Sequence, residues 1–217
     1  MVHMEILKDR SEWLKNRKRI GGSDAAAIIG MNPFMSNTDL WDIKSGIKEQ
    51  EDISEKPYVK YGTIAEHLLR ELFKMDYPDL EVGYKENNMF LNDRYPFAHA
   101  SLDGWVKDEH GRFGVWECKT TEILNSNMAK KWEGEHIPDN YYIQLLHQLM
   151  VTDFDFAILK AQIKYKYTGS EVFLKTKHYR IERNDVEEDI KYLADEEAKF
   201  WKSIQDGVRP SRILPQI

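Results

Sequence analysis

Cysteine is nearly absent from this 217-residue chain. The single Cys118 excludes a disulfide framework, a four-thiolate zinc site and a cysteine-ligated iron–sulfur cluster. Long apolar runs are missing as well. The longest, around Ala25 to Met31, is interrupted by Gly30, so no segment is expected to span a membrane. There is no internal repeat, low-complexity tract or Pro/Gly-rich linker, and one domain over residues 1–217 is expected. No charged-then-apolar leader opens the chain, and Met1-Val2-His3 ahead of Met4 reads as a remnant of cloning. A soluble, cytoplasmic protein is the expectation.

What is present suits a folded domain. Hydrophobic residues make up 41% and charged residues 31%, and 6 Trp, 11 Tyr and 9 Phe spread along the length exclude disorder. The net charge of −6 argues against a phosphate partner only if charge is uniform, and it is not. Residues 158–180 carry Lys160, Lys164, Lys166, Lys175, Lys177 and Arg180 against the single Glu171. Residues 182–199 reverse this with eight acids from Glu182 to Glu197. The first helix is basic, with Lys15, Arg17, Lys18 and Arg19 close together. Such segregation allows a basic groove on an acidic protein.

Local signals place the elements. Asp9 and Glu12 form a capping box for a helix running to about Arg19, and Ser23 caps a short helix from Asp24 to Ile29. A third helix covers Thr38 to Ser45. From Tyr58 to Met75 the period is helical, with Ile64, Leu68, Leu69, Leu72 and Phe73 expected on the inward side. Strands are expected over 88–92, 98–107 and 114–119, the last two joined by the Gly-containing loop 108–112. A helix over 138–152 follows, then a hairpin of 154–167 and 172–181 across Thr168-Gly169-Ser170. A charged amphipathic helix closes the chain over about 185–205. This order predicts an α/β domain whose mixed central sheet is flanked by helices.

The stretch that carries chemistry is Ser101-Leu102-Asp103-Gly104 followed by Val115-Trp116-Glu117-Cys118-Lys119. Side chains alternate along a strand, so Glu117 and Lys119 share a face while Cys118 points away. Pairing the two strands brings Asp103 beside them. Two carboxylates and an ammonium at one end of a sheet have the parts for metal-dependent phosphodiester cleavage. A lysine there orients water, or acts as base if its pKa is depressed. The acid-x-Lys pattern also occurs at Asp42-Ile43-Lys44, Asp189-Ile190-Lys191 and Glu197-Ala198-Lys199, all on helices. Strand context alone supports catalysis and an exposed cross-strand ion pair equally.

Four blocks add a family resemblance: Trp13 to Arg17 leading into Ile20-Gly21-Gly22-Ser23-Asp24-Ala25-Ala26-Ala27-Ile28-Ile29-Gly30; Gly62-Thr63-Ile64-Ala65-Glu66; the Asp103 and Glu117-Cys118-Lys119 strands; and Tyr141-Tyr142-Ile143-Gln144. In this order the chain resembles the YqaJ-type viral recombinases, phage alkaline exonucleases akin to the lambda exonuclease within the PD-(D/E)XK nuclease superfamily. The resemblance implies a restriction-endonuclease-like core. Helices within 9–75 would form part of the cleft, 84–181 would hold the catalytic sheet and helices, and 185–205 the C-terminal helix.

The resemblance also implies roles. Asp103 and Glu117 would bind metal, with the Cys118 main-chain carbonyl; Lys119 would be the catalytic lysine; Glu66 would face the metals, and Gln144 would position water or phosphate. Arg17 and Ser23 would hold a 5′-terminal phosphate, with Arg19 as the alternative to Arg17. The implied cofactor is Mg²⁺, replaceable by Mn²⁺, at two ions per site. The implied activity is 5′ to 3′ degradation of one strand of duplex DNA. That would leave a 3′ single-stranded tail for recombination with a phage single-strand annealing protein. The implied assembly is a homotrimer acting on DNA ends in the bacterial host cytoplasm, away from membranes. An endonuclease of the same superfamily and a non-catalytic DNA-binding module are the competing readings. Taken singly, Glu66 reads as a surface acid, Ser23 as an N-cap, and Gln144 and Gln148 as polar positions on a half-buried helix. His147, His67 and His99 read as ordinary histidines, Cys118 as a small buried hydrophobe, and Trp105 and Trp116 as sheet packing.

Overall fold

The computed structural model describes residues 1–166 and 171–214, so the 168–170 turn lies outside the described residues. The elements are β1 (Val2–Ile6), α1 (Arg10–Asn16), α2 (Gly22–Ile28), α3 (Asn37–Lys44), α4 (Pro57–Asp76), β2 (Glu81–Gly83), β3 (Asn88–Asn92), β4 (Gly104–Lys107) and β5 (Phe113–Ile123). They continue with α5 (Ser126–Lys130), α6 (Asp139–Thr152), β6 (Phe156–Lys166), β7 (Val172–Glu182) and α7 (Glu187–Gln205).

Five strands form a mixed sheet in the order β2-β4-β5-β6-β7. β5 and β6 are parallel, from Gly114 opposite Phe156 to Ile123 opposite Tyr165, because α5 and α6 carry the chain back between them. The other neighbours are antiparallel. Alternation along β5 assigns its two faces. Val115 joins the larger apolar core with α2, α6 and α7, whereas Trp116 and Cys118 join a smaller core under α4 with Ala65, Leu69 and Phe73. Among the described residues no helix is long and apolar enough to cross a membrane.

Several expectations are corrected. Val2 and His3 pair with Asn92 and Leu91 in a two-stranded β1–β3 sheet that no local signal places. α1 stops at Asn16, three residues short of Arg19, and the strand expected over 98–107 begins only at Gly104. α2 starts at Gly22 with Gly21 as its cap, because Asp24 turns back to accept the Gly21 amide at 2.9 Å; Ser23 is therefore not the cap. The inward side of α4 is Ala65, Leu69, Arg70 and Phe73, while Ile64, Leu68 and Leu72 are 69%, 56% and 49% exposed. Apolar residues occupy more than half the circumference of this helix, so periodicity alone left its facing open. Among the described residues of the basic run, Lys160 is buried against Asp76, Lys164 pairs with Glu122, Lys177 donates to the Trp132 carbonyl, and Arg180 pairs with Glu182.

Candidate active site

Asp103 sits in the bend just before β4, and the segment is pinned from behind. The buried Asn88 of β3 donates to the Leu102 carbonyl at 2.9 Å and accepts the Leu102 amide at 2.8 Å. Gly104 then pairs with Trp116, which brings Asp103 next to Glu117; its Oδ2 accepts the Cys118 amide at 3.0 Å.

Glu117 is buried and accepts three hydrogen bonds. Its Oε1 accepts from Lys119 Nζ at 2.5 Å and from Gln144 Nε2 at 2.7 Å, and its Oε2 accepts from Gln148 Nε2 at 2.7 Å. Gln144 and Gln148 lie one helical turn apart on α6, so both amides reach the same carboxylate. Gly22 makes this approach possible: a Cβ there would stand 3.1 Å from Gln144 Cγ. Glu66, on α4, meets Arg70 at 3.0 Å.

These groups line one cleft with two lobes. A lobe of about 390 Å³ holds Arg17, Ser23, Glu66, Asp103, Glu117, Lys119, Gln144 and Gln148. A second lobe shares Ser23, Glu66, Asp103, Lys119 and Gln144, and opens past Phe34, Ile53, Tyr58 and Tyr141. Arg17 stacks over the Trp13 ring at 4.5 Å and donates to Ser23 Oγ at 3.4 Å. Arg19 does not share the cleft, because its Nε is spent on the Pro96 carbonyl at 3.0 Å. Every other residue to which the resemblance assigns a role lines the cleft, Cys118 in the second lobe.

The electrostatics follow from three acids in one cleft, Glu117 buried and Asp103 and Glu66 partly buried. Burial, then Glu117 and Glu66, hold the Asp103 carboxyl well above the usual carboxylate range. Glu66 is raised by burial and by Glu117, against the pull of Arg70. Burial disfavours the charged form of Lys119, yet Glu117 and Asp103 outweigh it and raise its pKa. With no metal on the neighbouring acids this holds Lys119 as the ammonium, the state opposite to the one a base requires. Burial and the same acids push the Cys118 thiol up, so it is not a thiolate nucleophile.

The donor set fits a hard divalent cation, since it consists of carboxylates whose mutual repulsion such an ion relieves. Among the described residues no three His, Cys, Asp or Glu side chains close into a ready-made cage. Mg²⁺ needs none, because it binds through one or two carboxylates plus water and phosphate. The sequence reading passes over Arg70 and names Gln148 only as a polar position on a half-buried helix. Arg70 carried the signal of standing four residues after Glu66, and Gln148 stands four after Gln144.

The described geometry has counterparts. The sequence profile of the YqaJ-like viral recombinase domain matches residues 12–155. The chain is 32% identical over 197 residues to the uncharacterized protein YqaJ of Bacillus subtilis (strain 168), covering 88% of this chain. It spans about half, 55%, of that relative's length. In fold it is similar to the alkaline exonuclease LHK-Exo of Laribacter hongkongensis, with a TM-score of 0.61 at 14% identity over 90% of this chain and 95% of the other. A phage-related exonuclease of Haemophilus somnus 129PT gives 0.57 at 13% identity, over 87% and 96%. The mixed five-stranded sheet with its flanking helices is thus the PD-(D/E)XK fold of phage-type exonucleases. The chain belongs to the YqaJ-like viral recombinase domain family.

Proposed function

We propose that residues 1–217 form a single nuclease domain, a metal-dependent exonuclease that degrades one strand of duplex DNA from its 5′ end. The observation that carries this reading is the gathering of Asp103, Glu117 and Lys119 in one cleft with Glu66 and with the Arg17–Ser23 pair. The strand left behind would be a 3′ single-stranded tail for recombination with a phage annealing protein, in the cytoplasm of a bacterial host. The fold relative from Laribacter has also been solved in complex with dAMP, a nucleoside monophosphate of the kind that stepwise cleavage releases.

Each side chain has a task. Arg17 and Ser23 hold the terminal phosphate through charge-assisted and hydroxyl hydrogen bonds. Asp103, Glu117, Glu66 and the Cys118 carbonyl would hold Mg²⁺, or Mn²⁺, at two ions per site. When bound, those ions supply activation of water and neutralisation of charge on the attacking and leaving oxygens. Lys119, an ammonium, donates a hydrogen bond to the water or to a phosphate oxygen. Gln144 donates to Glu117 and keeps it aimed.

The exposed apolar stripe of Ile64, Leu68 and Leu72 supports a homo-oligomer, a homotrimer in this reading, because monomers rarely leave such a face to water. Light scattering on the purified chain tests the trimer.

The activity is tested with linear duplex carrying 5′-phosphate or 5′-hydroxyl ends and with closed circles, each in Mg²⁺ and in EDTA. Loss of one strand from phosphorylated ends, in Mg²⁺ alone and with circles intact, is the expected result. Cutting of circles would establish the endonuclease instead. Absence of hydrolysis on every substrate would leave a binding module.

A further inference from the structure

We propose that Arg70 is a positioning residue for the acidic cluster, fixing Glu66 on α4 against the strand entry that carries Asp103. This rests on the metal-dependent reading above.

Arg70 is 5% exposed, in the middle of a long helix. Its Nη1 donates both to Glu66 Oε1 at 3.0 Å and to the Asp103 main-chain carbonyl at 2.5 Å. The guanidinium lies over the Tyr84 ring at 3.7 Å, which holds its plane. One rigid group therefore ties two acids that belong to different elements, the helix under the sheet and the bend leading into β4. Among the described residues the Glu66 carboxylate makes no other hydrogen bond than this one. Its Oε1 is anchored and its Oε2 is left for the cleft.

Helix stability does not account for this arrangement. An i,i+4 ion pair contributes as much on the solvent side of a helix, where no desolvation is incurred. A buried pair is a weak source of stability, and this one is monodentate to the acid. What burial adds is position: the main-chain carbonyl of Asp103 is within reach only from inside. Groups that orient metal-binding carboxylates are commonly worth 10- to 100-fold in metal affinity.

The sign of the effect separates positioning from charge. Removing a cation next to three carboxylates strengthens their attraction for a divalent ion. Losing the anchor of Glu66 weakens binding, because the ligands must then be ordered at the moment of binding. Positioning predicts weaker binding despite the more negative cluster.

The experiment titrates Mn²⁺ into the full chain without DNA, reading free Mn²⁺ by electron paramagnetic resonance. Arg70→Ala is expected to weaken Mn²⁺ binding by roughly 10- to 100-fold. Arg70→Lys, which keeps the charge but not the planar fork, recovers part of the loss. In a Glu66→Ala background, Arg70→Ala adds less than it costs the wild type, because one of its two tethered groups is already gone. Unchanged or tighter binding in Arg70→Ala overturns the proposal, and so do losses that multiply in the double variant. If Arg70→Ala does not fold, Arg70→Lys carries the test, and wild-type affinity in that variant overturns the proposal. A wild-type chain that neither binds Mn²⁺ nor degrades DNA overturns the metal-dependent reading itself. Wild-type binding that is indifferent to Arg70 overturns this proposal alone.

Discussion

His147 on α6 and Glu197 on α7 meet at 2.7 Å, and neither side chain reaches solvent. The other ring nitrogen of His147 faces the His99 carbonyl at 2.9 Å. An ionised Glu197 and the His99 carbonyl are both acceptors, an arrangement that favours the imidazolium, whose two nitrogens both donate. Burial works against that charge, but Glu197 overcomes it and the pKa of His147 is raised. The pair clamps the acidic C-terminal helix to the helix that carries Gln144 and Gln148.

Its stabilisation has a definite pH sign. A raised folded-state pKa contributes fully below the unfolded value of about 6.5, and that contribution is lost as pH rises through the higher folded value. Urea unfolding at pH 6 and pH 9 should show the wild type losing stability at the alkaline end. Glu197→Ala should cost about 3–5 kcal/mol near pH 6, because it leaves a buried charge unpaired. A wild-type stability that is flat across this range would refute the imidazolium assignment.

Asp103 gives the opposite kind of effect. Its carboxyl is raised by burial and by the two neighbouring acids, so the folded, metal-free chain is penalised wherever Asp103 is ionised. That penalty grows as pH climbs from the unfolded carboxylate value through the folded one. Asp103→Asn removes the charge and keeps an acceptor for the Cys118 amide. In EDTA at neutral pH this variant should be more stable by on the order of 1 kcal/mol and should degrade no DNA. A lower melting temperature than wild type would show that the charge is not the cost.

Glu117 is the acid with the most complete support, from Lys119, Gln144 and Gln148. Glu117→Gln should fold and lose more than about a hundredfold in Mg²⁺-dependent hydrolysis. Gln148→Ala frees one carboxylate oxygen and should lower hydrolysis by about tenfold with a near-native circular dichroism spectrum. Full activity in Glu117→Gln would end the site assignment.

Arg17 and Ser23 make a prediction about substrate ends. A charge-assisted hydrogen bond is worth about 1.5–3 kcal/mol, or roughly 10- to 100-fold. Arg17→Ala should shrink the rate advantage of 5′-phosphorylated over 5′-hydroxyl ends by that factor, mostly through KM. Arg19→Ala should leave the advantage intact, since Arg19 is turned to Pro96. Equal effects of the two variants would mean that neither reads the phosphate.

How legible this was in the sequence varies by residue. The alternation Glu117-Cys118-Lys119 stated which side chains share a face, because a strand has only two faces, and the structure keeps Glu117 and Lys119 together with Cys118 opposite. The position of α6 followed from its local pattern, and the long run of α4 from its period. The facing of α4 did not follow, because its apolar residues cover too much of the surface. The β1–β3 pairing and the parallel β5–β6 register were likewise closed to local reading, since the partners stand far apart in the chain. Gly21 replaced Ser23 as cap because the Asp24 side chain reached the Gly21 amide.

The sequence by itself determined the chemistry available: two acids and a lysine at a strand end, an acid on a helix, and an arginine beside a serine. Tertiary structure decided which of them act on one another. It turned Arg17 into the cleft and Arg19 out of it, and it made Lys119 a fixed ammonium by setting it against Glu117. It also carried Arg70 inward to bridge Glu66 and Asp103. Local propensity sets residue types and faces, whereas burial and the approach of distant elements set charge states and contacts.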